Sequence, residues 1–247
     1  MAEILVLMEE SAAAIFGAFP DQFILFGGAT LVLFYDSPQL SRDLDFLASP
    51  AELPACEEIA RAVRARIEPI AQAFGLGRLE FREDRESTDF IKQWVVAGQD
   101  ALFSIDLARI GGNVLKSHIV EKTVAGTPEK AILTPTANFL LLQKCEVFLA
   151  RRYVKARDAF DIHFLVGQGA TLDEKLSAHL EDFAVIKEFD RGFIAERIAK
   201  VTAKLCTVEL RTVLPPPVFE KLSRNEFAPI RDSLQTVFSR WLGEALP

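Results

Sequence analysis

The hydrophobic and polar positions fall into three textures along the chain. Residues 2 to 18 place apolar side chains at Ile4, Leu5, Met8, Ala12, Ile15 and Phe16 with glutamates elsewhere, a spacing that predicts an amphipathic helix capping the core. The apolar run Phe23 to Phe26 then meets Gly27 and Gly28, which predicts a strand ending in a glycine turn. A short helix is expected from about Ala29 to Tyr35, closed by Asp36, Ser37 and Pro38. Residues 43 to 47 read as a second strand. After Ser49-Pro50, an Ala, Glu and Arg rich stretch reads as a long helix to Phe74, ended by Gly75 and Gly77.

From Arg78 to Val124 the texture turns to β. The stretches LEFRE, FIKQWVVAG, LFSIDLARI and HIVEKTVAG predict successive, mainly antiparallel strands, with a short strand at Lys130 to Leu133 before Thr134-Pro135. Pro135 is placed to open a helix. Beyond it the pattern is helical over 136–152, 156–167, about 172–182, 190–205 and, after Pro215-Pro216-Pro217, near 227–242. The fold class is α+β: a domain of mixed sheet and flanking helices over residues 1–133, then a helical domain over 134–247 that completes a ligand cleft.

Composition narrows this further. A chain of 247 residues that is 50% hydrophobic can bury a sizeable core. No apolar run reaches the roughly 18 residues of a membrane span, and Glu3, Glu9 and Glu10 without an early Lys or Arg argue against a signal peptide. The expected location is the cytoplasm, with no membrane partner. Cys56, Cys145 and Cys206 are odd in number and widely spaced, which excludes the usual zinc templates and predicts reduced core thiols. The net charge of −7 is unlike that of a protein that coats nucleic acid. Locally, however, RRYVKAR at 151–157 holds four cations without an acid, either a solvated helix end or an anion-binding patch.

The candidate chemistry starts at the second strand. Strand alternation points Asp43 and Asp45 to one face, and two anions so close call for a cation. Asp106, inside the strand-like FSIDLA, is the expected third carboxylate of a metal site for two Mg²⁺ ions. Gly27 and Gly28 at a helix start let backbone N–H groups approach a phosphate. In the helical half, Lys144 and Arg151 lie seven residues apart, close to one face, and could reach one anion. Asp158 and Asp161 fall on an apolar arc with Ile162 and Leu165 and need cations, either as a structural ion-pair network or as catalytic groups. Asp161 and Lys144 are the stronger functional candidates. His118, His163 and His179 lie near no Ser or Cys arrangement and are expected to be structural or superficial.

Taken in order, Gly27-Gly28, Ser41-Arg42-Asp43-Leu44-Asp45-Phe46, Lys144 with Val147 and Arg151, and Arg157-Asp158 with Asp161 resemble the AbiEii/AbiGii family of nucleotidyltransferase toxins. The resemblance spans residues 27 to 162. It implies a polymerase-β-like nucleotidyltransferase core that uses an NTP and Mg²⁺, acting as the toxin of a bacterial toxin–antitoxin or phage-defence pair with a cognate antitoxin. It also implies transfer of NMP to an acceptor, with the tRNA 3′ end expected first. Carried over, Asp43 and Asp45 bind metal, Gly28 and Ser41 lie by the triphosphate, Lys144 contacts phosphate, and Asp161 is a catalytic or binding acid; Gly27 and Arg151 complete the expected nucleotide-binding set. Ser41 also occupies the place where some relatives are phosphorylated by a kinase antitoxin.

The chain departs from the family pattern at Gln39, where a basic residue is common, at Arg42, where an acid is common, and at Ala29-Thr30 after the glycines. The alternatives are a non-catalytic module that binds nucleotide or a partner on the same fold, and transfer of the nucleotide to protein.

Overall fold

The computed structural model of the protein describes residues 2–20, 22–48, 53–109, 119–124, 127–172 and 191–243. Two compact units emerge. One combines Met1–Asp36 with Ser41–Pro135, and the other combines Ser37–Leu40 with Thr136–Pro247.

The first unit is built on α1 (Ala2–Ala18), β1 (Phe23–Phe26), α2 (Gly27–Tyr35), β2 (Asp43–Ala48), α3 (Cys56–Ala73), β3 (Leu79–Glu86), β4 (Phe90–Ala97) and β5 (Asp100–Arg109). Its five-stranded sheet has the order β1-β2-β5-β4-β3. Only β2 and β5 pair in parallel, and the other neighbours are antiparallel. A parallel pair needs a long crossover, and α3, β3 and β4 supply it.

Alternation then sorts the side chains. On β2, Leu44, Phe46 and Ala48 are buried while Asp43, Asp45 and Leu47 are less so. The buried set joins Ile91, Val95, Phe103, Ile105 and Leu107 from the neighbouring strands in one core with Leu7, Met8 and Ile15 of α1 and Ile59, Val63 and Ile67 of α3. Phe46 lies 6.0 Å from both Phe16 and Phe23, ring to ring. One face of the sheet is thus fixed by burial, which assigns the polar residues of β2 and β5 to the other. At the start of α3, Glu58 accepts a hydrogen bond from the Ala55 N–H at 3.1 Å, satisfying one free donor of the first turn.

The β texture after residue 109 ends differently from expectation. β6 (Ile119–Val124) does not extend the main sheet but pairs with β7 (Thr127–Pro135) in a separate two-stranded sheet. With two residues between them, a local hairpin closes at little entropic cost. β7 is also longer than the expected strand at 130–133, and it packs beside β1 and α1. Pro135 therefore ends a strand, and Thr136 caps the next helix by accepting from the Phe139 N–H.

The second unit holds α4 (Ala137–Ala150), α5 (Ala156–Gly167), α6 (Arg191–Ala199), α7 (Ala203–Leu210), α8 (Pro216–Ser223) and α9 (Ala228–Leu242). The single helix expected over 190–205 is split, because Thr202 accepts from the Leu205 N–H and starts α7 afresh. The proline run does not merely separate helices. It opens α8, since a proline in the first turn gives up no intrahelical bond. Phe148 stacks on Phe238 at 5.9 Å, and Arg197 donates to the Phe148 carbonyl at 2.8 Å. The segment 37–40 packs with these helices through Leu40, whose N–H donates to the Val213 carbonyl at 2.9 Å.

The helix expected near 172–182, with His179, and the segment with His118 lie outside the described residues. His163 is paired through Nδ1 with Ser233 of α9 at 2.8 Å. All three cysteines are buried. Among the described residues, no helix is long and apolar enough to cross a membrane.

Candidate active site

In the sheet unit, the parallel register places Asp43 opposite Ser104 and Asp45 opposite Asp106. Across the next, antiparallel pair, Lys92 lies opposite Asp106 and Trp94 opposite Ser104. Directly opposed residues share a face. Asp43, Asp45, Ser104, Asp106, Lys92 and Trp94 therefore form one polar surface on three adjacent strands, backed by the core.

Hydrogen bonds bind this surface together. The Lys92 ammonium donates to both Asp106 oxygens, at 2.9 and 3.2 Å, and to Ser104 Oγ at 3.3 Å. Ser104 in turn donates to Asp43 Oδ1 at 2.9 Å. Lys92 also lies 4.7 Å from the centre of the Trp94 ring. Burial by itself would lower the pKa of the ammonium, but its bond to Asp106 and the charges of Asp106, Asp43 and Asp45 outweigh that and leave it raised.

The two glycines bring the start of α2 against β2. Gly27 has a φ of +73°, and a Cβ there would lie well inside contact distance of Asp45 Oδ2 and 3.1 Å from its Cγ. A Cβ on Gly28 would lie 3.1 Å from Ser41 Oγ. The first turn of α2 thus approaches Asp45 more closely than a side chain on Gly27 allows, and it comes close to Ser41. A helix start offers N–H groups and partial positive charge, which suits a polyanion held through a cation.

A second cluster is internal to the helical unit. Lys144 of α4 and Asp161 of α5 form an ion pair at 2.6 Å, and Gln39 Nε2 donates to the other Asp161 oxygen at 2.8 Å. Asp161 is 3% exposed, so both its oxygens are committed without help from water. Burial pushes its pKa up, and Lys144 works against that shift. Arg151, just past the end of α4, pairs with the buried Asp158 at 2.9 Å, and Arg157 reaches the Leu40 carbonyl at 3.4 Å. Lys144 and Arg151 therefore each serve a different carboxylate of α5 rather than converging on one anion.

Two participants carry no distinct mark in the sequence. Lys92 and Ser104 read as ordinary strand residues, and only the register sets them among the acids. The strand-like FIKQWVV, with a cation at the half-buried parity, is the available signal. Gln39, one of the departures from the family pattern, uses its amide as a donor to Asp161.

The donor set on the sheet suits a hard divalent cation, with carboxylate oxygens on one face and no competing sulfur or imidazole. Among the described residues, no three His, Cys, Asp or Glu side chains form a ready ligand cluster, and Asp106 is engaged by Lys92. Asp43 and Asp45 fit the cation best.

Comparison with known proteins gives this geometry a lineage. The fold is similar to that of an H. pylori protein assigned as a nucleotidyltransferase, with 14% identity, 97% of this chain and 94% of the other covered, and a TM-score of 0.56. JHP933 from Helicobacter pylori is similar to the same degree, at 14% identity, 97% and 93% coverage and a TM-score of 0.55. No curated protein matches in sequence. The family model described as "Nucleotidyl transferase AbiEii toxin, Type IV TA system" matches residues 12–241. The chain therefore belongs to the AbiEii family: it is a nucleotidyltransferase, the toxin of a toxin–antitoxin pair, with an NTP as substrate and an antitoxin as partner.

Proposed function

We propose that the protein is a Mg²⁺-dependent nucleotidyltransferase that moves NMP from an NTP to the 3′ end of tRNA in the cytoplasm. The observation that carries this reading is the joint placement of Asp43, Asp45 and Asp106 on adjacent strands with the glycine start of α2 against Asp45. Asp43 and Asp45 would be the first ligands for the metal, with Asp106 as the third acid of a two-ion site. When bound, Mg²⁺ supplies neutralisation of the triphosphate charge and a lowered pKa for the acceptor hydroxyl. The N–H groups of Gly27 and Gly28, with Ser41, hold the triphosphate. The acceptor hydroxyl gives up its proton to solvent, its oxygen bonds to the α-phosphorus, the bond to the α–β bridging oxygen breaks, and pyrophosphate leaves.

Within the helical unit Lys144 supplies positive charge for phosphate, and Asp161 with Gln39 keeps the lysine oriented. Asp161 is buried and doubly engaged, so it acts through Lys144 as a positioning residue. An RNA acceptor is favoured by the loop between α4 and α5. Tyr153 is 68% exposed, the Arg152 guanidinium lies 5.1 Å from its ring centre, and Lys155 is exposed beside it. An exposed aromatic ring among cations suits unpaired bases and their phosphates.

The test is transfer of label from each of the four NTPs, with Mg²⁺, to tRNA, other RNA or protein. Transfer to tRNA, lost in Asp43→Ala with the circular dichroism spectrum unchanged, is the expected outcome. Full activity in Asp43→Ala overturns the metal assignment, and label on protein alone overturns the RNA acceptor.

A further inference from the structure

A lysine ammonium held on an acidic catalytic face is a cation already in place. Lys92 contacts both oxygens of Asp106, and through Ser104 it is linked to Asp43. Its side chain is 22% exposed and that of Asp106 is 16% exposed, so the pair is partly shielded from competing water. Register makes this contact a designed one: β4 sets Lys92 directly across from Asp106, with Trp94 two residues on and on the same face. The Trp94 ring flanks the ammonium and restricts where it can go.

Asp43 and Asp45 share this face with Asp106, and the Lys92 ammonium engages Asp106 directly. Asp106 cannot give the same lone pairs to a metal while Lys92 holds them at 2.9 and 3.2 Å.

We propose that Lys92 is a built-in counter-cation of the active face. It holds Asp106 in the resting protein and competes with a divalent metal for that carboxylate, so that Asp43 and Asp45 fill first and Asp106 joins only when the ammonium is displaced. This rests on the metal reading above and adds an order of filling to it. Lys92 is thereby a positioning residue for Asp106 and sets the metal concentration at which the site becomes complete.

Binding of Mn²⁺, read by calorimetry and by the electron paramagnetic resonance of the free ion, tests the proposal without catalysis. Lys92→Met is expected to tighten binding of the weaker ion by about tenfold, the scale of a charged hydrogen bond lost to the competitor. The gain should vanish in Lys92→Met combined with Asp106→Asn. Unchanged or weaker binding in Lys92→Met overturns the competition, and absence of binding in every variant overturns the metal reading as well.

A second readout covers the case in which Lys92→Met does not fold. In a Trp241→Phe background, Trp94 is the remaining tryptophan, and its emission should change as Mg²⁺ displaces the ammonium from beside the ring. Saturable Mg²⁺ binding with constant Trp94 emission sinks the displacement.

Discussion

Replacing Gly27 by alanine tests the closest approach in the structure. Gly27 sits at φ +73°, where an alanine pays about 1–2 kcal/mol for the left-handed conformation. Its Cβ would also meet the Asp45 carboxyl, with Cγ at 3.1 Å and Cβ at 3.3 Å, so the acid must leave its rotamer at a cost of roughly 0.5–1.5 kcal/mol. Together these predict a loss of about 1.5–3.5 kcal/mol for Gly27→Ala. Gly28→Ala is the control. Gly28 has ordinary helical φ, its Cβ would lie 3.1 Å from Ser41 Oγ, and the helix propensity of alanine offsets that contact. Urea unfolding followed by circular dichroism measures both, and Gly28→Ala should stay within about 0.5 kcal/mol of the parent. In an Asp45→Ala background only the backbone cost should remain, about 1–2 kcal/mol. Equal losses for the two glycines, or a Gly27→Ala loss unaffected by removing the Asp45 carboxyl, would refute the reasoning.

Two other perturbations act in the helical unit. Lys144→Met strips the cation from buried Asp161 and is expected to cost about 3–5 kcal/mol at pH 8 in urea unfolding. Because Asp161 then folds with a raised pKa, the penalty is present above that pKa, shrinks as pH falls through it, and is absent below the unfolded value; a loss of equal size at pH 5 and pH 8 would contradict it. Glu146 is pushed up to about 7 by burial, so between its unfolded value and 7 the folded state holds a proton that the unfolded state has released, and stability falls as pH rises through that window. Glu146→Gln should therefore raise the unfolding midpoint at pH 8 and leave it unchanged at pH 4, and a gain at both would indicate improved packing instead.

Local patterning made the core elements legible. Alternation on β2 puts Asp43 and Asp45 on one face whatever lies beside them, and the helical period placed α1 and α5 without reference to distant residues. What the pattern could not carry was which strands are neighbours. Lys92 and Asp106 are fourteen residues apart in sequence and meet only because β4 and β5 pair in one register, since a slip by one residue would turn the lysine into the core. The departure of β6 from the sheet is the same kind of fact, because a strand's own sequence does not name its partner. At Thr202 a cap restarted a helix inside a continuous helical pattern, a competition between local side-chain bonding and propensity that periodicity does not register.

Gln39 shows how one polar substitution is absorbed. A basic side chain there would have given Asp161 a second cation; the amide instead donates a neutral hydrogen bond, and Lys144 alone balances the charge at 2.6 Å. That raises the cost of losing Lys144 and fixes its direction, because an ammonium with one buried anionic partner has less freedom than one shared among several. The two clusters thus solve opposite problems. In the helical unit Asp161 is paired with Lys144 and Asp158 with Arg151, so the acids serve to orient cations. On the sheet one lysine engages Asp106 on a face that also carries Asp43 and Asp45, and that gathering of carboxylates is what favours a metal in the proposed reading. The proposed roles, Asp161 orienting Lys144 and Asp43 with Asp45 holding the metal, rest on that difference: the acid of the helical unit is already paired with its cation, whereas those of the sheet crowd one face.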